Sequence, residues 1–184
     1  MISITEKTLQ DLEFNTVLET IASRCNTDIG EEKAMAIMPF KNKEELLINL
    51  KQTSEYLSSF SNNNAIPNHG FENINYELKF LAIEDSFLEV GSFKKIANLS
   101  ETAITLIQFL KKFEDYYPNL YQKASQIDIV KLIIQRIDEV VDKFGIIKDN
   151  ASPDLVDIRR NINVVRGKIN QSFGMALSQY NSLG

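Results

Sequence analysis

Apolar residues recur at spacings of three and four along most of the chain, a period that predicts helices. Leu9, Leu12, Val17, Leu18 and Ile21 share a stripe over residues 8–24. Asp28 stands where it would cap a second helix running to Met38, with Pro39 as its stop. Asn42 caps a third, and Glu45 three positions later would complete a capping box. Leu46, Leu47, Leu50, Tyr56, Leu57 and Phe60 make the apolar face of that helix. Residues 61–70, with Asn62-Asn63-Asn64 and Asn68-His69-Gly70, read as a loop. Beyond it the pattern predicts a short helix over 72–82 and a long one from a Ser92 cap to Phe113. After a break at Tyr117-Pro118 a strong helix follows over 126–144, with Ile129, Leu132, Ile133, Ile137, Val140 and Val141 facing inward. Strand-like alternation is nearly absent; Ile146-Ile147-Lys148 is the best candidate for a brief extended segment. The fold class is therefore all-α, with residues 1–150 as a self-sufficient helical lobe.

The segment from Phe144 to Leu155 ends one helix and begins another. Gly145 is a helix stop, because glycine alone enters the left-handed region without steric cost. Ser152 is an N-cap, Pro153 fits the first helical position, and Asp154 sets negative charge at the positive end of the helix dipole. From there one helix of about 30 residues, roughly 45 Å long at 1.5 Å per residue, runs to the last residue. Leu155, Ile158, Ile162, Val165 and Ile169 form a coiled-coil seam, which gives way at Ser172 and Gln179 to a straighter stripe through Phe173, Leu177 and Tyr180. Gly167 and Gly174 sit seven apart on the face opposite the seam. No helix remains in the chain to cover the distal stripe, so the expectation is a lobe (1–150) and the start of a lever helix (151–184) belonging to something larger.

The order Gly-x-Ile-x-Asp-x-Ala-Ser-Pro-x-Leu over 145–155, followed by Ile158-Arg159 and a long helix, resembles the MutS family of DNA-repair ATPases. More narrowly it is similar to the MutS-two branch, which lacks the mismatch-recognition domain. Leu12-Glu13-Phe14 with Val17-Leu18, then Thr27, Gly30, Pro39 and Thr53-x-Glu55, resemble the opening of that branch. Gly70, Ile74, Leu78, Ala82, Leu88 and Phe93 through Ile96 follow its next segment, although Phe93 sits where the family often has leucine. The likeness spans nearly the whole chain. It implies the first part of a core (lever) domain whose long helix rises toward a DNA-encircling clamp. It further implies a homodimeric parent that binds branched or mismatched DNA, suppresses homologous recombination and acts on stalled ribosomes. Its ATPase domain, using ATP and magnesium, and its endonuclease part lie outside these residues.

Composition narrows the alternatives. No apolar run approaches the roughly 18 residues of a membrane span, and the N-terminus lacks the basic and apolar regions of a secretory signal. The single cysteine, Cys25, suits a reducing cytoplasm. The net charge of −5 is uneven: residues 151–184 carry four bases against two acids, leaving −7 on residues 1–150. A phosphate partner would therefore meet the long helix, where Arg159, Arg160, Arg166 and Lys168 are the candidate nucleic-acid or interdomain contacts.

Chemistry of other kinds is hard to find. Gly167-Lys168 is the sole Gly-Lys pair, and Ile162 and Ile169 occupy the positions a phosphate loop needs for glycine and hydroxyl. One histidine and one cysteine far apart make no metal site, so none is expected. His69 in its polar loop reads as a solvated side chain rather than a base, and Cys25 as a small half-buried thiol. Glu31-Glu32, Glu44-Glu45 and Glu84-Asp85 are adjacent pairs, which diverge on a helix and suit first turns better than acid–base work. Phe113 and Tyr116-Tyr117 are better read as a packed helix end than as a base-stacking platform, since Glu114-Asp115 adjoin them. No catalytic residue is expected in this segment. The competing reading is a free-standing helical adaptor or dimerisation module that binds a partner through its terminal helix.

Overall fold

The computed structural model describes residues 4–182. The described residues form nine helices and no strand, as the periodicity predicts: α1 Glu6–Asp11, α2 Phe14–Ala22, α3 Asp28–Met35, α4 Lys43–Ser58, α5 Asn75–Leu81, α6 Val90–Lys112, α7 Pro118–Ala124, α8 Lys131–Val140 and α9 Pro153–Ser182. The chain divides into two units, Met1–Ile134 and Gln135–Gly184.

In the first unit α2 packs on α3, with α1 against α2. The stripe drawn for a single helix over 8–24 is broken, because Glu13 takes a left-handed φ of 51° between α1 and α2. The face that buries is Leu18 and Ala22, four apart, while Leu12, Val17 and Ile21 stay exposed. The cap of α3 is Thr27 and not Asp28: Thr27 is extended, and its Oγ1 accepts from the Gly30 amide at 3.0 Å. A Cβ at Gly30 would meet that hydroxyl at 3.0 Å and the Cys25 Cβ at 3.3 Å, so any side chain here would press on the cap. α3 ends at Met35, short of Met38, since proline at 39 disfavours helix in the residue before it.

A second cluster gathers α4, α6 and α7 around Tyr117, which is 0% exposed. Its hydroxyl donates to the Asn64 carbonyl at 2.5 Å and accepts from Asn62 Nδ2 at 3.0 Å, which ties the Asn-rich loop down. Tyr117 has no capping side chain of its own for α7. Glu55 of α4 supplies it from across the cluster, accepting from the Asn119 amide at 3.0 Å and the Leu120 amide at 2.9 Å. A carboxylate on two free amides at a helix start satisfies donors that would otherwise be orphaned, and adds a favourable dipole contact.

Of the expected apolar face of α4, Tyr56 alone is among the residues turned inward by this cap. Glu55, Gln52, Tyr56 and Ser59 turn toward the loop and α7, whereas Leu46, Leu47, Leu50, Leu57 and the following Phe60 are exposed. Asn42 caps α4 as predicted, its Oδ1 accepting from the Glu44 amide at 2.8 Å, but among the described residues Glu45 returns no bond to complete a capping box. The short helix starts at Asn75 rather than 72, and α6 starts at Val90, before Ser92, whose hydroxyl instead reaches Glu77. The helix drawn over 126–144 shrinks to α8, which buries none of its residues.

Candidate functional site: the root of the terminal helix

The second unit is built around the turn from α8 into α9. After Val140 the chain folds back, with Val141 and Ile147 paired as an isolated antiparallel bridge. Asp142 N–H donates to Ile146 O and Lys148 N–H to Val140 O, both at 2.8 Å. Gly145 sits in this turn at φ 80°, so its left-handed conformation serves a reversal inside the loop and not the last turn of a helix. Asp142 Oδ1 accepts from the Phe144 and Ile146 amides, each at 2.9 Å. Val141 is the buried centre of the turn.

The helix start follows from local chemistry. Ser152 Oγ accepts from Leu155 N–H at 3.2 Å, Pro153 is the first helical residue, and α9 runs unbroken for 30 residues. No residue of α9 is buried. Ile158, Ile162, Val165 and Ile169 of the seam are 51–62% exposed. A Cβ at Gly167 or Gly174 would touch nothing, so neither glycine marks a close approach within the chain. The end of the predicted helix, residues 183–184, lies outside the described residues.

The four candidate bases separate. Arg159 is engaged at the root: its Nη1 pairs with Asp149 and its Nη2 donates to the Ile147 carbonyl at 3.3 Å. Its partner is Asp149, which the turn brings back beside the second turn of α9. A pair this exposed adds little stability, but a guanidinium holding a carboxylate and a carbonyl fixes direction. Among the described residues Arg160, Arg166 and Lys168 form no ion pair. At about 100° per residue they point three different ways, so they make no continuous basic face. Sequence reasoning missed Asp142 and took Asp149 only as a motif position; an aspartate shortly ahead of a glycine, as Asp142 is ahead of Gly145, is a sign of such a side-chain-closed turn.

The other singled-out residues belong to the first unit. His69 Nδ1 lies 3.0 Å from the Pro67 carbonyl, which makes it the donor there, and its Nε2 shares a hydrogen bond of 3.3 Å with the Tyr56 hydroxyl. Cys25 Sγ–H points at the Ile21 carbonyl, 3.5 Å away. No group of three histidine, cysteine or carboxylate side chains among the described residues is arranged to hold a metal. No described helix is long and apolar enough to cross a membrane.

The turn has a pH signature. The Ile146 amide bond first, and the Phe144 amide and the Lys148 charge after it, hold the Asp142 carboxyl below its ordinary 3.8. A lowered carboxyl value means the stabilisation is complete above 3.8 and is lost as pH falls through the lower folded value. Titration of the Asp142 side chain by NMR should therefore give a midpoint below 3.8, with the Ile146 amide moving at the same midpoint. An Asp142→Asn variant should lose that response.

No family model matches the chain. Individual proteins do. Endonuclease MutS2 of Alkaliphilus oremlandii is 29% identical over 180 residues, covering 95% of this chain and 23% of that protein. Endonuclease MutS2 of Pelotomaculum thermopropionicum is 25% identical over 166 residues, covering 90% and 21%. That of Staphylococcus aureus is 26% identical over 181 residues, covering 91% and 22%. The chain spans less than a quarter of the length of these curated relatives. The likeness first carried by residues 145–155 thus extends over at least nine-tenths of the chain, and it is to the MutS2 branch of the MutS family.

Proposed function

We propose that these residues are the first part of the core (lever) domain of a MutS2-like protein, and that α9 carries displacement between an ATPase domain and a DNA-embracing clamp. The observation that supports this most is a helix of 30 residues, capped and stapled at its root, whose apolar seam is left uncovered. A stiff helix moves as a rigid body, and an uncovered seam calls for a second helix to lie along it. The longer protein, on this reading, is a cytoplasmic homodimer that binds branched or mismatched DNA, hydrolyses ATP with magnesium and suppresses recombination, with action on stalled ribosomes. The relatives' name, endonuclease, supports a nuclease elsewhere in that protein. Arg160, Arg166 and Lys168 are the residues left for phosphate or interdomain contact, and Arg159 serves the root.

The test is an insertion of two glycines between Lys168 and Ile169 of the full-length protein. It turns the distal seam by about 200° while leaving the root intact. Stimulation of ATP hydrolysis by branched DNA is expected to disappear with basal hydrolysis retained. Undiminished stimulation would overturn the lever.

A further inference from the structure

A polar cleft of about 400 Å³ opens in the first unit, between the α2–α3 turn, the loop before α5, and α6. Asn26, Asn68, Phe71, Glu72, Lys95 and Asn98 line it. The Lys95 ammonium stands 3.3 Å from Glu72 Oε2 and 3.7 Å from Glu77 Oε1. The division between the two carboxylates is lopsided. Glu72 is mostly exposed and already hydrated, while Glu77 of α5 is only 4% exposed. Glu77 Oε1 accepts a long bond from Ser92 at 3.4 Å, and its Oε2 is enclosed with no donor among the described residues.

An enclosed carboxylate oxygen without a donor is costly, and the nearest ammonium is spent on the carboxylate that needs it less. Asn26 and Asn98 stand exposed in the lining, where their side-chain carbonyls can accept from an incoming donor. Glu77 does not line the cleft itself, but the cluster of Glu72, Glu77 and Lys95 sets two carboxylates against one ammonium, which disfavours a phosphate and favours a cation. A guanidinium suits it better than an ammonium: it carries five donors in a planar fork and stacks on an aromatic ring.

We propose that this cleft receives an arginine side chain from another polypeptide segment. The guanidinium takes over Glu72, donates to Asn26 and Asn98 and rests against Phe71. Lys95, released from Glu72, closes onto Glu77 and supplies the donor that the buried carboxylate lacks. This recognition site is independent of α9 and of the lever reading. Before the exchange Lys95 is held above its ordinary 10.5 by its bond to Glu72 first and by the charges of Glu72 and Glu77, so the exchange starts from an ammonium.

Titration of N-acetylarginine amide into the isotopically labelled chain, followed by NMR, tests it. Saturable shifts at Phe71, Asn98 and the Lys95 side chain are expected. N-acetylcitrulline amide, the neutral isostere, should leave these signals in place. Glu72→Gln changes an exposed residue and should keep the fold, yet weaken binding by about fivefold or more. Equal shifts from arginine and citrulline, no saturation, or full affinity in Glu72→Gln would each overturn the site. The full-length protein then tells the source: if its own arginine fills the cleft, the probe fails to bind there, and if the arginine comes from a separate protein, the probe binds as it does to this chain.

Discussion

Replacing Tyr117 with alanine is expected to lower the stability of the first unit by about 3–5 kcal/mol, the usual cost of deleting a buried aromatic ring. The ring is fully enclosed, and its centroid lies 5.9 Å from that of Phe109. Its hydroxyl is also the tie that holds Asn62 and Asn64. Tyr117→Phe keeps the packing and removes only the tie, and should cost about 1–2 kcal/mol by leaving the Asn64 carbonyl without its donor. Urea unfolding followed by circular dichroism separates the two. A loss under about 1 kcal/mol for the alanine variant would mean that the cluster of α4, α6 and α7 is not organised around this residue.

Val164→Pro is expected to have the second large effect. Proline at that position removes the bond to the Arg160 carbonyl and clashes with it, at about 3 kcal/mol or more for the helix. An exposed helix has no packing to offset such a loss, and no residue of α9 is buried. Hydrogen exchange should show amides from 165 to 182 losing protection, while the root keeps its own, because Ser152, Asp149 and Arg159 all lie before the substitution. Protection unchanged beyond residue 165 would show that the distal stripe is held by something other than helix continuity.

What these residues disclosed in advance depended on how local each cause was. The start of α9 followed from Ser152 and Pro153, whose effects act within one turn, and both stand where expected. Gly145 was identified as left-handed, but the turn around it depends on Asp142 reaching two amides, so α8 ended four residues before Phe144, the expected end. The face of α4 was misjudged for a longer-range reason. Its leucines follow a clean helical stripe, yet Glu55 is drawn inward by the bare amides of α7, 64 and 65 residues away. A hydrophobic pattern cannot anticipate such a partner. Three residues that carried the family likeness have physical roles in this fold: Thr27 caps α3, Gly30 leaves room for that cap, and Glu55 caps α7. At the candidate site, Arg159 stood among the four candidate contact bases; that it is committed to Asp149 depends on the closed turn.

The lever account stands on the stiffness of α9, and a distance within it measures that most directly. Spin labels replacing Asp157 and Ser178 in the full-length protein are separated by about 31 Å along a straight helix, at 1.5 Å per residue. The account predicts one narrow distance population near that value without nucleotide, with ATP and with DNA. A broad or shortened population in any of these states would contradict it, because a rod that bends or melts during the cycle cannot pass displacement from one end to the other.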